Sequence, residues 1–216
     1  MIDGVDIRIK VCGMREAQNI VEVGARAPDY MGFIFYPKSP RYVGEEFRVP
    51  DNLPAAIKRV GVFVNATVEE IIATAKRHSL WAAQLHGREN PEQCAAVRAA
   101  GYTVIKAFPV DATFDFASTS AYKEFVDFFL FDTKGPLHGG NAMRFDWSLL
   151  RSYDQSVPFF LSGGLSPENV KGIKHLDGMN LHALDVNSGI ESSPGLKDLD
   201  RLTEFTNAVS TALNES

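Results

Sequence analysis

Eight short apolar segments recur along this chain, and between most of them the pattern changes to helical spacing. The segments are Ile7–Val11, Tyr30–Phe35, Arg59–Val64, Trp81–Leu85, Thr103–Phe108, Phe128–Phe131, Phe159–Leu161 and Leu181–Val186. Strands that alternate with helices pair in parallel through crossovers. Eight such units is the number that closes a (β/α)8 barrel. The 216 residues fall near the lower limit for that fold, so its connections must be short. An open doubly wound sheet is the rival, but no G-x-G-x-x-G follows the first segment. The expectation is an α/β protein, a (β/α)8 TIM barrel forming a single domain over residues 1–216.

The helical stretches carry start signals. Thr67 and Glu70 have capping-box spacing, followed by Val68, Ile71, Ile72 and Ala75 on one face. Asn90-Pro91 sets a capping side chain before a proline at the first helical position. Ser166-Pro167 repeats that arrangement and predicts a helix from Pro167 through Val170 and Ile173. Asp198 opens a last helix with Leu199, Leu202, Phe205, Val209 and Leu213 on one side. Pro50 and Pro54 allow only an irregular or short helix over Glu45–Ala56.

Composition narrows the partners. The net charge is −5 with no basic run, which argues against a nucleic-acid partner. Two cysteines are too few for a disulfide framework. No apolar run has the length of a signal peptide or a membrane span. The expectation is a soluble cytoplasmic protein with a small-molecule partner, no membrane partner, and a monomeric or homodimeric state.

Alternation along the strands assigns their faces. The first segment sends Ile7, Ile9 and Val11 toward the helices, and Arg8, Lys10 and Cys12 inward. The fourth sends Trp81, Ala83 and Leu85 outward, and Ala82, Gln84 and His86 inward. The fifth is expected to turn Val104 and Lys106 inward. Buried polar groups must be hydrogen-bonded or used. In this fold the functional face lies at the carboxyl ends of the strands. There the chain offers Cys12-Gly13, Tyr36–Arg41, Asn65, His86-Gly87, Asp132-Thr133, Ser162–Leu165 and Asp185–Gly189.

Three glycine-bearing loops share that rim: His138–Trp147, Ser162–Val170 and Asp185–Glu191. Loops after strands seven and eight are the usual phosphate site of the fold, and glycine beside a helix start suits an anion. Arg41, between Pro40 and Tyr42, could clamp a carboxylate or be a solvated surface residue. Asp132 follows Phe128-Phe129-Leu130-Phe131; apolar surroundings would keep its carboxyl protonated near neutrality, as a general acid requires, though a turn aspartate fits equally. Cys12 has Lys10 on its own strand face and Lys106 expected inward. These cations would favour a thiolate base or nucleophile; the alternative is an inert small hydrophobe. Cys94 reads as plain core. The five histidines lack metal-ligand spacing, so no metal site is expected.

The blocks "KVCGM", "MGFIFYPKSPRYV", "VGVFVN", "QLHG", "VIKAF", "FDTKGPLHGGNAMRFDW", "LSGGLSPENV" and "LDVNSGIESSPGLKD" together resemble phosphoribosylanthranilate isomerase. The resemblance runs in order from about Ile9 to Asp198. It implies an Amadori rearrangement of N-(5-phosphoribosyl)anthranilate without a cofactor. It further implies Cys12 as general base, Asp132 as general acid and Arg41 on the anthranilate side. Asp185, and with it Lys10, Gln84 and His86, would face the substrate. Gly140, Gly163, Gly164, Ser188 and Gly189 would hold the phosphate. The loop after strand six departs from the family's G-G-T-G, reading Gly139-Gly140-Asn141-Ala142. Two other readings stay open: another phosphosugar barrel enzyme, such as a metal-dependent sugar-phosphate epimerase, or a phosphosugar-binding protein without turnover.

Overall fold

The computed structural model describes residues 7–133 and 147–214. Eight parallel strands close a barrel in chain order. They are β1 (Arg8–Val11), β2 (Tyr30–Ile34), β3 (Lys58–Phe63), β4 (Ala82–Leu85), β5 (Thr103–Val110), β6 (Phe128–Thr133), β7 (Phe159–Ser162) and β8 (Leu181–Val186). β1 pairs with β2 on one side and β8 on the other, so the ring has no edge to expose.

Around it lie α1 (Ala17–Gly24), α2 (Val68–Arg77), α3 (Pro91–Ala99) and α4 (Leu199–Asn214). Two of the start signals work as their spacing implies. Thr67 Oγ1 accepts from the Glu70 amide at 3.2 Å while Glu70 Oε2 accepts from the Thr67 amide at 2.8 Å. Asn90 and Gln93 make the same reciprocal pair at 2.9 and 3.0 Å, with Pro91 opening the helix. Such caps contribute about 1 kcal/mol each. Asp198 Oδ1 accepts from the amides of Asp200 and Arg201 and starts α4, whose buried face carries Leu202, Phe205, Val209 and Ala212.

Other crossovers are less regular than a full helix. The span after β2 is turns around Pro50 and Pro54, as the prolines dictate. Segments of 3-10 helix cover Phe116–Phe125 and Val170–Leu176. The expected helix at Pro167 is therefore a turn followed by a 3-10 segment that begins at Val170. Asn169 is the reason: its Oδ1 accepts from the Ser166 amide and its Nδ2 donates to the Gly164 carbonyl. These bonds fold the stretch back on itself before a helix can propagate.

Two apolar clusters result. The larger lies between strands and helices. The smaller fills the barrel interior with Tyr30, Val60, Ala82, Ile105, Ala107, Leu130, Phe160 and Ala183. It corrects one expected face: Ile105 and Ala107 point inward, so Val104 and Lys106 point outward. Both faces of Thr103–Phe108 are apolar apart from the lysine, and a single lysine does not fix the register of such a strand. Lys106 instead donates to the Leu85 and Gly87 carbonyls and to Glu89 Oε2, tying the middle of β5 to the end of β4 and the loop after it. Trp81, expected outward, packs against the interior cluster at 5.4 Å from Tyr30.

At the amino-terminal pole, Tyr30, Phe128 and Phe160 surround His182. Toward the carboxyl ends the interior turns polar, and there the cavity opens.

Candidate functional site

Strand register brings the polar residues to one level. Lys10 is opposite Asp185, Asp185 opposite Ser162, and Ser162 opposite Asp132. Register partners point to the same side of a sheet, so four strands deliver these groups to one end of the barrel. Above them lies a cavity of ≈ 280 Å³ lined by Cys12, Gln84, His86, Asp132, Asp185, Ser162, Gly163, Gly164, Leu165, Asn187 and Ser188, with Ile34 and Val62 as apolar wall. Cys12 and Asp132, from β1 and β6, thus share one pocket.

Cys12 sits just past β1, its amide donating to the Val186 carbonyl at 2.9 Å. Gly13 follows with φ +75°. A Cβ there would meet Asn187 Oδ1 at 2.6 Å and Arg41 Cδ at 2.7 Å, so only glycine lets three loops converge behind the thiol. The thiol is nearly enclosed, at 4% exposure. Burial pushes its pKa above the ordinary cysteine value. The Lys10 and Lys197 ammonium groups pull it down, while the Asp185 carboxylate pushes it up. Burial thus acts against the thiolate that the neighbouring cations would favour. The second cation near it is Lys197, not Lys106.

Lys10 does not line the cavity. It is fully buried below the floor, donating to Gln84 Oε1 and Asp185 Oδ2, each at 2.7 Å. Burial lowers its pKa, but Asp185 and Cys12 more than offset this and raise it, so Lys10 is an ammonium. Asp185 Oδ2 is taken by Lys10, whereas Oδ1 is buried and has no hydrogen-bond partner among the described residues. An orphaned buried carboxylate oxygen in a cavity wall is an acceptor awaiting a donor. Burial raises the Asp185 pKa, with Lys10 the largest opposing influence.

Asp132 is not shrouded by the phenylalanines that precede it. Phe129 and Phe131 pack outward, and the carboxyl, 31% exposed, meets His86 Nε2 at 3.1 Å. His86 Nδ1 in turn lies 2.8 Å from Gln84 Nε2.

Arg41 stands outside the cavity lining. Its Nε and Nη2 grip Glu191 bidentately, the shortest contact being 2.6 Å. Glu191 also accepts from Lys197 Nζ at 2.6 Å. These two are register partners in a small hairpin of β9 (Glu191–Ser193) and β10 (Leu196–Lys197). Burial alone would raise the Glu191 carboxyl; bonds from Arg41 and Lys197 overcome it and hold the pKa at about 2. Asn19 clamps the hairpin to α1, accepting from the Lys197 amide and donating to its carbonyl. The chain's own carboxylate therefore occupies the arginine fork expected to meet a ligand. Glu191 and Lys197 escaped the sequence reading because Pro194-Gly195 reads as a loop; only their hairpin spacing would have paired them.

The glycine loops meet on the opposite rim. Gly163 and Gly164 have φ of 96° and 65° and line the cavity with Ser188. Gly189 lies behind them: a Cβ there would fall 1.9 Å from the Leu165 carbonyl oxygen. Its absence lets the loops after β7 and β8 touch. The remaining expected phosphate contact, Gly140, and the Asn141-Ala142 departure lie outside the described residues. Among the described residues no group of three or more His, Cys, Asp or Glu could hold a metal ion, and no helix is long and apolar enough to cross a membrane.

The family model and the most similar relatives point to the same family. The family described as N-(5'phosphoribosyl)anthranilate (PRA) isomerase matches residues 9–208. A protein from Parabacteroides distasonis named N-(5'-phosphoribosyl)anthranilate isomerase is 48% identical over 200 residues, covering 91% of this chain and 90% of its own. The crystal structure of the phosphoribosyl anthranilate isomerase from Thermotoga maritima superposes with a TM-score of 0.83 at 39% identity, covering 95% of this chain and 100% of that one. A phosphoribosyl anthranilate isomerase solved in complex with reduced 1-(o-carboxyphenylamino)-1-deoxyribulose 5-phosphate gives 0.80 at 37% identity, with coverage of 95% and 100%.

Proposed function

This chain belongs to the N-(5'-phosphoribosyl)anthranilate isomerase family of tryptophan biosynthesis, and on that premise we propose how its cavity carries the Amadori rearrangement. The observation that supports the reading above all is that Cys12 and Asp132 open onto one cavity with the glycine loops at its rim.

The substrate is an aminoribose closed through its ring oxygen. Asp132 gives a proton to that oxygen, the bond from C1 to it breaks, and the nitrogen lone pair forms an iminium with C1. The iminium acidifies the C2 hydrogen. Cys12 removes it, and the electron pair left behind forms the C1–C2 double bond of an enolamine. Proton transfer from the C2 hydroxyl and onto C1 gives the ketone. Acid and base must work on opposite ends of one three-atom stretch, which a shared pocket of this size allows.

The remaining groups hold the sugar. Gly163, Gly164 and Ser188 supply a rim where a phosphate can approach the backbone closely. Asp185 Oδ1 accepts from a ribose hydroxyl. Arg41 faces the anthranilate carboxylate with the edge not spent on Glu191. The buried thiol is deprotonated with help from Lys10 and Lys197, whose charges offset part of its desolvation.

Turnover is tested by the loss of anthranilate-substrate fluorescence. The expected result is rapid consumption by the wild-type chain. Cys12→Ala and Asp132→Asn are expected to retain the wild-type circular dichroism and lose about 10²–10⁴-fold or more in kcat. A variant that turns over like wild type removes that residue from its role.

A further inference from the structure

Beneath the cavity floor runs a chain of hydrogen bonds with a direction. Lys10 is an ammonium and can only donate. Its 2.7 Å contact with Gln84 therefore requires the amide oxygen, Oε1, on that side. The amide nitrogen is then the atom that faces His86, at 2.8 Å from Nδ1. Because that nitrogen donates, Nδ1 must present its lone pair, and the ring proton resides on Nε2. From there it points at Asp132 Oδ2, 3.1 Å away.

We propose that Gln84, oriented by Lys10, fixes His86 in the Nε2–H tautomer, and that His86 thereby pins one oxygen of Asp132 so that the other, Oδ1, carries the proton given to the sugar. Lys10, Gln84 and His86 are positioning residues for the acid. This rests on Asp132 being the acid.

The chemistry gains two things. With Nε2 already protonated and Nδ1 engaged, His86 does not take the acid's proton for itself. After Asp132 has released its proton, the Nε2–H bond remains to steady the new carboxylate. The same Lys10 that sets this orientation also stands beside Cys12, so base and acid are organised around one buried cation. Among the described residues, the charged groups that face His86 are Asp132 in contact, Asp185 across the floor and Lys10 behind Gln84. A purely structural reading, with Gln84 only filling a buried gap, would leave the tautomer unset.

The test uses the full chain labelled with 15N-histidine, with the His86 signals assigned from a His86→Asn variant. In the wild type, Nδ1 is expected bare and Nε2 protonated; a dominant Nδ1–H form overturns the proposal. Gln84→Glu keeps the shape and still accepts from Lys10, but replaces the donor facing Nδ1 with an acceptor. It should place a proton on Nδ1 and lower kcat by about 10–100-fold, with KM close to the wild-type value. An unswitched tautomer, or a switched one with wild-type kcat, overturns the proposal. Should that variant not fold, the wild-type spectrum decides alone. Asp132→Asn separates the two layers: if it stays fully active, the acid assignment falls whatever tautomer His86 shows.

Discussion

Gly32 sits in the middle of β2, directly beside the proposed base. A Cβ at this position would stand 2.7 Å from Cys12 Sγ, 3.2 Å from Cys12 Cα and 3.3 Å from Cys12 Cβ. Ordinary contact between heavy atoms of this size lies at about 3.5–4.0 Å. In Gly32→Ala the sulfur must therefore retreat by roughly 1 Å, and the contacts to the Cys12 backbone leave it little choice of direction. Misplacing a catalytic group by that much costs on the order of 10²-fold in rate. Overpacking adds about 1–3 kcal/mol of destabilisation, which at about 2–4 °C per kcal/mol for a chain of this length lowers Tm by roughly 2–12 °C. The assay is kcat by fluorescence at a temperature where the variant is folded, beside a thermal melt. A double-mutant cycle isolates the cause. If the methyl acts through the sulfur, Gly32→Ala should cost almost nothing further in kcat when Cys12 is already alanine. Wild-type kcat in the single mutant, or a full additional loss in the double mutant, would refute the reasoning.

Because burial holds the Cys12 thiol above its ordinary pKa, its thiolate absorbance, read as the difference from Cys12→Ala, should grow only on the alkaline side of neutrality, and Lys197→Met should push that growth to still higher pH; a thiolate signal already complete at neutrality would contradict it. The Glu191 pKa lies below its unfolded value, at about 2, so its contribution to stability is complete above the unfolded carboxylate range and is lost as pH falls toward 2. Melts from neutral to acid pH should show a smaller loss in Glu191→Gln than in wild type. His182 is held at about 4 by burial, then by Arg8 and Lys58; its Nδ1 faces Arg8 Nη1 at 3.3 Å, so a proton there would oppose the guanidinium. Its folded pKa is depressed, so the neutral ring's stability is present above about 6.5 and lost as pH falls toward 4. His182→Phe should flatten the melting temperature across that window.

Much of this was legible in the sequence, for identifiable reasons. The eight strands are short apolar runs bounded by loops, and the caps at Thr67 and Asn90 need only residues three apart. Cys12, Gln84 and His86 are readable as inward residues because alternation assigns their faces, and Asp132 and Asp185 as residues at the carboxyl ends of strands. What failed was non-local. Lys106 reads as inward until the fifth strand is seen to have two apolar faces. Lys10 reads as a substrate contact until Gln84 and Asp185, 74 and 175 residues away in sequence, consume its donors. The Arg41–Glu191 clamp spans 150 residues and has no local signature. The phenylalanines before Asp132 do not enclose its carboxyl, because adjacent residues on a strand point to opposite faces.

The most direct measurement is a crystal structure of this chain with reduced 1-(o-carboxyphenylamino)-1-deoxyribulose 5-phosphate bound. Cys12 Sγ is expected against C2 and the Asp132 carboxyl against the oxygen on C4, with the phosphate at Gly163, Gly164 and Ser188. A ligand seated so that either side chain lies beyond contact with its sugar atom would contradict the assignment of base and acid.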